Sequence, residues 1–95
     1  MSNFFYKNGV LFCEDVPVSD IASKYGTPSY VYSKKTLEDN FDAYSNAFVE
    51  NEGIVCFSVK SLSNISILRL LNEKGSGFDI VSGGELERVI AAGAD

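Results

Sequence analysis

Ninety-five residues suffice for one small domain, and a composition of 45% hydrophobic and 22% charged residues is globular, not disordered. A formal net charge of −5 with no basic cluster argues against nucleic acid and anionic membranes as partners. The chain has no histidine, which excludes Ser-His and Cys-His nucleophile pairs, and the apolar start at Phe4, Phe5 and Tyr6 is too short for a signal peptide or a membrane span, which points to a cytoplasmic protein.

Phe4 to Lys7 and Val10 to Cys13 flank Asn8-Gly9, a dipeptide suited to the two positive-φ positions of a type I′ turn, so a β-hairpin is predicted. Val18, Ile21, Ala22 and Tyr25 then fall at helical spacing, with Ser19 available as a cap and Gly26 as the stop. Thr27-Pro28 forces an extended entry, and Tyr30-Val31-Tyr32 reads as a short strand. Ser33 can cap the next helix, whose Leu37, Phe41, Tyr44 and Phe48 form an amphipathic stripe expected to pack in a core. Asn51-Glu52-Gly53 breaks the chain before the next element.

Ile54 to Lys60, Ile-Val-Cys-Phe-Ser-Val-Lys, is a continuous apolar run that reads as a strand buried on both faces and ending in a lysine. Ser63 or Asn64 can open a helix carrying Ile65, Leu68 and Leu71, which Gly75 ends. Gly77 to Val81 gives a second strand. Ser82 and Glu85, at capping-box spacing, open another helix with Leu86, Val89 and Ile90, closed by Gly93. The Gly83-Gly84 pair could instead cradle a phosphate, but the cap uses those same backbone donors and is preferred. Cys13 and Cys56 sit in apolar runs without metal-ligand spacing and read as buried thiols, not a disulfide.

Strand, helix, strand, helix from Ile54 onward argues for parallel βαβ units. Two parallel strands are too few to stand alone, and a third is expected where the chain reaches Asp95, so the fold reads as incomplete. Chemistry in parallel α/β barrels gathers where the strands end, which is where Lys60 falls. An amine beside low-dielectric surroundings loses its proton more readily than a surface amine and can then attack an aldehyde, which makes Lys60 a candidate Schiff-base lysine. The alternative is a charge that ends a strand and faces water.

Several segments together carry a family resemblance. These are the Asn8-Gly9 hairpin, Tyr25-Gly26-Thr27-Pro28 followed by Tyr30-Val31-Tyr32-Ser33, Phe57-Ser58-Val59-Lys60, and the block Gly75-Ser76-Gly77-Phe78-Asp79-Ile80-Val81-Ser82-Gly83-Gly84-Glu85-Leu86. From Phe4 to Asp95 the chain resembles the N-terminal part of the diaminopimelate decarboxylases, within the alanine racemase-like, fold type III pyridoxal-phosphate enzymes. Ser61-Leu62-Ser63-Asn64 stands here where that family has Ala-Asn-Ser-Asn, and Ser58 replaces its usual alanine.

The resemblance implies the start of a parallel (β/α)8 barrel over residues 34–95, preceded over residues 1–33 by the hairpin and strand of a separate β domain. It implies pyridoxal 5'-phosphate as cofactor, with Lys60 as its covalent anchor and Asp79 near the end of the second barrel strand as a cofactor-side residue. Asp79 either holds or polarises Lys60 or bonds to the amides of the following helix; both readings stay open. The implied activity is decarboxylation of meso-diaminopimelate to lysine by a homodimer, with a related ornithine or arginine decarboxylase, or a piece that binds no cofactor, as alternatives. The 95 residues alone are expected to be inactive and to self-associate through the unpaired edge of the Ile54–Val59 strand.

Overall fold

The computed structural model describes residues 3–48 and 53–95, so Asn51 and Glu52 of the expected break lie outside the described residues. The chain divides into two compact units, residues 1–40 and 41–95.

In the first unit, β1 (Phe4–Lys7) and β2 (Val10–Cys13) pair antiparallel with Phe5 opposite Phe12. Asn8 at φ 52° and Gly9 at φ 79° supply the two left-handed positions that the type I′ turn demands. The Phe5 and Phe12 rings stack 5.8 Å apart at 8°, a cross-strand aromatic pair that fixes the register. A third strand, β3 (Val16–Pro17), pairs with β2 after a turn in which Glu14 takes φ 56°. Two residues ending in proline carry no alternation, so no sequence pattern announces this strand.

Helix α1 (Val18–Tyr25) follows β3 directly. Its N-cap position is Pro17, without a side-chain cap, so Ser19 lies in the first turn and is not the cap. Gly26 at φ 85° ends the helix, as expected. The strand expected at Tyr30–Tyr32 does not form: the segment pairs with nothing among the described residues, and Tyr30 is 92% exposed. Extended backbone becomes a strand only where a neighbour completes the hydrogen-bond ladder.

Helix α2 (Lys34–Asn46) starts at the expected cap, where the Thr36 amide donates to Ser33 Oγ at 3.1 Å. The Ser33 hydroxyl in turn donates to the Glu14 carboxylate at 2.9 Å, and the Lys35 amide donates to the same oxygen at 3.2 Å. Asn3 Nδ2 donates to Thr36 Oγ1 at 2.8 Å. Of the expected stripe only Phe41 is buried; Tyr44 is exposed, and the helix ends before Phe48. One turn of the stripe is covered, not its length.

In the second unit, β4 (Cys56–Ser58) and β5 (Gly77–Asp79) form a parallel pair with helix α3 (Ile65–Glu73) between them in sequence, the expected βαβ order. Both strands are shorter than their apolar runs. The expectation of a strand from Ile54 to Lys60 buried on both faces is corrected: Ile54 is 67% exposed, and Cys56, expected buried, is exposed, while Cys13 is buried. The ladder ends at Ser58 opposite Asp79 because β5 ends there, and no second neighbour flanks β4 among the described residues.

Alternation sends Phe57 and Phe78 toward the helices, where they pack on Val59, Leu68, Val89 and Ala92. Cys56 and Gly77 face the other way, so close that a β-carbon on Gly77 would meet Cys56 Sγ at 2.8 Å. Asn64 caps α3 by accepting from the Ser66 and Ile67 amides at 3.0 and 3.3 Å. Gly75 at φ 91° closes it, with Ser76 N–H donating to Leu71 O and Gly75 N–H to Asn72 O, a Schellman arrangement. Helix α4 (Gly83–Ala91) packs on α3 through buried Val89, while Leu86 and Ile90 stay largely exposed.

Candidate functional site

The site is built where the parallel pair ends. Val59–Ser61 form a single 3₁₀ turn directly after β4, closed by Leu62 N–H donating to Val59 O at 3.1 Å and Ser61 Oγ donating to Ser58 O at 2.7 Å. Lys60 is therefore the middle residue of a turn, not the end of a strand. Val59 beside it is fully buried, whereas Lys60 is exposed, so of the two surroundings the sequence left open for Lys60 these residues show the one that faces outward. The physical reason is the short ladder: past Ser58 no strand pairing remains to keep the backbone extended. The turn plants an apolar anchor in the core and turns the next side chain outward.

Asp79 is the last residue of β5 and the register partner of Ser58, so it shares with Lys60 the C-terminal end of the parallel pair. Both side chains are exposed. Among the described residues no hydrogen bond or ion pair joins Asp79 to Lys60, and none joins Asp79 to the amides of α4. At the start of α4 the Glu85 amide is served otherwise: it donates to Ser82 Oγ at 3.1 Å, the N-cap half of the capping box expected from the spacing. The Glu85 carboxylate reaches one residue further back than a capping box requires, accepting from the Val81 amide at 3.2 Å and not from that of Ser82. A β-carbon at Gly83 would meet nothing within 4 Å, so no close backbone approach requires the glycine there.

Sequence reasoning missed Arg88. Its Nη1 reaches from α4 to donate to Ser63 O at 3.3 Å, bonding the segment that follows Lys60. A side chain 25 positions away from its partner carbonyl leaves no local signal. It also missed Glu14, whose carboxyl is held below its usual range chiefly by the Lys35 backbone amide and next by the Ser33 hydroxyl. A groove of about 460 Å³, with Asn72, Phe78, Ile80, Leu86 and Val89 in its wall, includes neither Lys60 nor Asp79. Among the described residues no three His, Cys, Asp or Glu side chains cluster to hold a metal ion, and no helix is long and apolar enough to cross a membrane.

Residues 34–95, which contain both Lys60 and Asp79, match the family described as "Pyridoxal-dependent decarboxylase, pyridoxal binding domain". The chain belongs to this family. It is similar to the diaminopimelate decarboxylase of Haemophilus influenzae, 54% identical over 94 residues that make up 98% of this chain and 23% of that protein. With the diaminopimelate decarboxylase of Pseudomonas aeruginosa it shares 50% identity over 95 residues, all of this chain and 23% of that one. The crystal structure of diaminopimelate decarboxylase from M. jannaschii in complex with L-lysine superposes with a TM-score of 0.87 at 35% identity, covering 97% of this chain and 23% of that one. AQ1208 from Aquifex aeolicus gives a TM-score of 0.89 at 42% identity over 95% of this chain and 22% of that one. The resemblance drawn from the motifs thus holds over the whole chain. The α/β fold is that of the N-terminal region of these enzymes, and the chain spans about a quarter of the length of the curated relatives it matches.

Proposed function

We propose that these residues form the cofactor-anchoring part of a pyridoxal-phosphate-dependent diaminopimelate decarboxylase, with Lys60 as the covalent anchor. The observation that carries this is the position of Lys60: an exposed amine on a turn tied down by buried Val59, at the C-terminal end of a parallel strand pair, inside the segment that matches a pyridoxal-binding domain. The donor set fits the group, since a carbonyl cofactor needs an accessible amine on a fixed stem and Lys60 supplies one.

Lys60 would hold the cofactor through Nζ, the aldehyde oxygen leaving as water. Pyridoxal phosphate, when bound, supplies the electron sink that takes up the pair left on the substrate carbon as carbon dioxide departs. When not bonded to the cofactor, the Lys60 amine would serve as the group that carries a proton and returns it to that carbon. Asp79 would act beside it, at the same strand end, by holding or polarising the lysine amine.

The remaining assignments follow the same reading. Residues 34–95 would be the first βα units of a (β/α)8 barrel and residues 1–33 part of a separate β domain, in a cytoplasmic homodimer acting on meso-diaminopimelate. Relatives named diaminopimelate decarboxylase favour this substrate over ornithine or arginine. Borohydride reduction of a full-length enzyme carrying these residues, loaded with pyridoxal phosphate, should label Lys60 in the peptide map. A label on Lys34, Lys35 or Lys74 instead, or no label at all, would overturn the assignment.

A further inference from the structure

We infer that Arg88 is a positioning residue for Lys60, holding the exit of the lysine-bearing turn through the Ser63 carbonyl; the inference rests on Lys60 being the cofactor anchor.

The turn from Val59 to Ser63 has two ends, and adjacent residues of α4 hold both. At the entry, Val59 is fully buried in the cluster that contains Val89. At the exit, Arg88 Nη1 donates to Ser63 O at 3.3 Å. The bonds inside the turn, Leu62 N–H to Val59 O and Ser61 Oγ to Ser58 O, are local and would move with it. They set its shape and not its place.

Among the described residues, the Ser63 carbonyl accepts no other hydrogen bond. The first intrahelical bond of α3 runs from Leu68 N–H to Asn64 O, one residue later, so Ser63 O lies outside the helix ladder. Arg88 is its hydrogen-bond partner among the described residues. The contact is a single charged N–H donor carried by α4, and such a donor ties the carbonyl at the exit of the turn to that helix. The lysine amine stands at the tip of a four-carbon stem, where a small rotation of the turn becomes a large displacement of Nζ, and misplacement of a reacting group is costly.

The test uses full-length enzyme carrying these residues, as wild type, Arg88→Met and Arg88→Lys. In cofactor-free protein, hydrogen exchange of the Leu62 amide, which closes the turn, should rise about five-fold in Arg88→Met, the loss of one charge-assisted but exposed hydrogen bond. Arg88→Lys, whose ammonium can also donate to a carbonyl, should restore exchange to within about two-fold. After addition of pyridoxal phosphate, formation of the borohydride-trappable link should slow by a similar factor in Arg88→Met and recover in Arg88→Lys.

Unchanged Leu62 exchange in Arg88→Met would overturn the inference, as would raised exchange with an unchanged rate of link formation, or a Lys variant as impaired as Met. Exchange raised throughout the protein, together with a lowered melting temperature, would mark Arg88 as a general structural contact and also overturn it. A wild-type label on another lysine brings down the proposed function and, with it, the role toward Lys60, while the exchange arm still reports separately whether Arg88 holds the turn.

Discussion

The two units of this chain reach order by different means. In the first, the strands of the hairpin are mostly exposed, and what fixes them is turn chemistry, one aromatic stack and a polar network joining Asn3, Glu14, Ser33, Lys35 and Thr36. In the second, apolar burial dominates: Val59, Leu68, Val89 and Ala92 form a cluster, and polar groups act mainly at helix ends. The first unit should therefore answer to charge and hydrogen bonding, the second to side-chain volume. Lys60 belongs to the second, where a packed neighbour can hold its turn still.

The largest effect expected separates chemistry from packing. In the full-length enzyme, Lys60→Ala should abolish the covalent link to pyridoxal phosphate and lower turnover by orders of magnitude. Because Lys60 is exposed, its loss should cost only about 1 kcal/mol of stability in urea unfolding. Wild-type turnover in this variant, or collapse of the fold, would remove Lys60 from the site.

Next comes volume. Leu68, with 0% exposure, loses its packing on truncation, and Leu68→Ala should cost about 2–5 kcal/mol by urea unfolding. A loss below about 1 kcal/mol would mean that the cluster is not what holds the second unit. Ser33→Ala is the matched change in the first unit. It deletes the N-cap of α2 and the hydroxyl that Glu14 accepts from, and should cost about 1–2 kcal/mol, with exchange rising first at the Thr36 amide. A cost equal to that of Leu68→Ala would erase the contrast between the units.

The smallest effect is a pH dependence confined to the first unit. Glu14 has its carboxyl lowered from the usual 4.5 by the Lys35 amide and the Ser33 hydroxyl. A carboxyl lowered on folding leaves the unfolded chain binding more protons in that range, so its stabilisation is full above the unfolded value and is lost as pH falls through the folded one. The protection of the Lys35 amide, its exchange taken relative to an unstructured peptide at the same pH, should fall over that acidic window in wild type and show no such step in Glu14→Gln. An identical acid step in both proteins would assign it to another group.

Local signals were readable in the sequence because their causes lie within a few residues. Asn8-Gly9 supplies the two positive φ angles its turn requires, and Ser33, Asn64 and Ser82 each meet amide donors two or three positions ahead. Gly26, Gly75 and Gly93 stop helices because each takes a left-handed φ that side chains resist. The parallel βαβ order was legible for the same reason, as a pattern of neighbours along the chain.

Tertiary structure decided everything that needs a distant partner. Tyr30–Tyr32 has strand composition but no ladder, and the Ile54–Lys60 run has strand composition but pairs over three residues, so the lysine falls in a turn. Val16–Pro17 is a strand only because β2 lies beside it. Likewise, Arg88 meets Ser63 only once α4 is docked, and Glu14 reaches the start of α2 only after the hairpin has turned. Backbone preference is set by the residue itself and its near neighbours, whereas pairing, exposure and a side chain's partner are set by what the rest of the fold brings within hydrogen-bond reach.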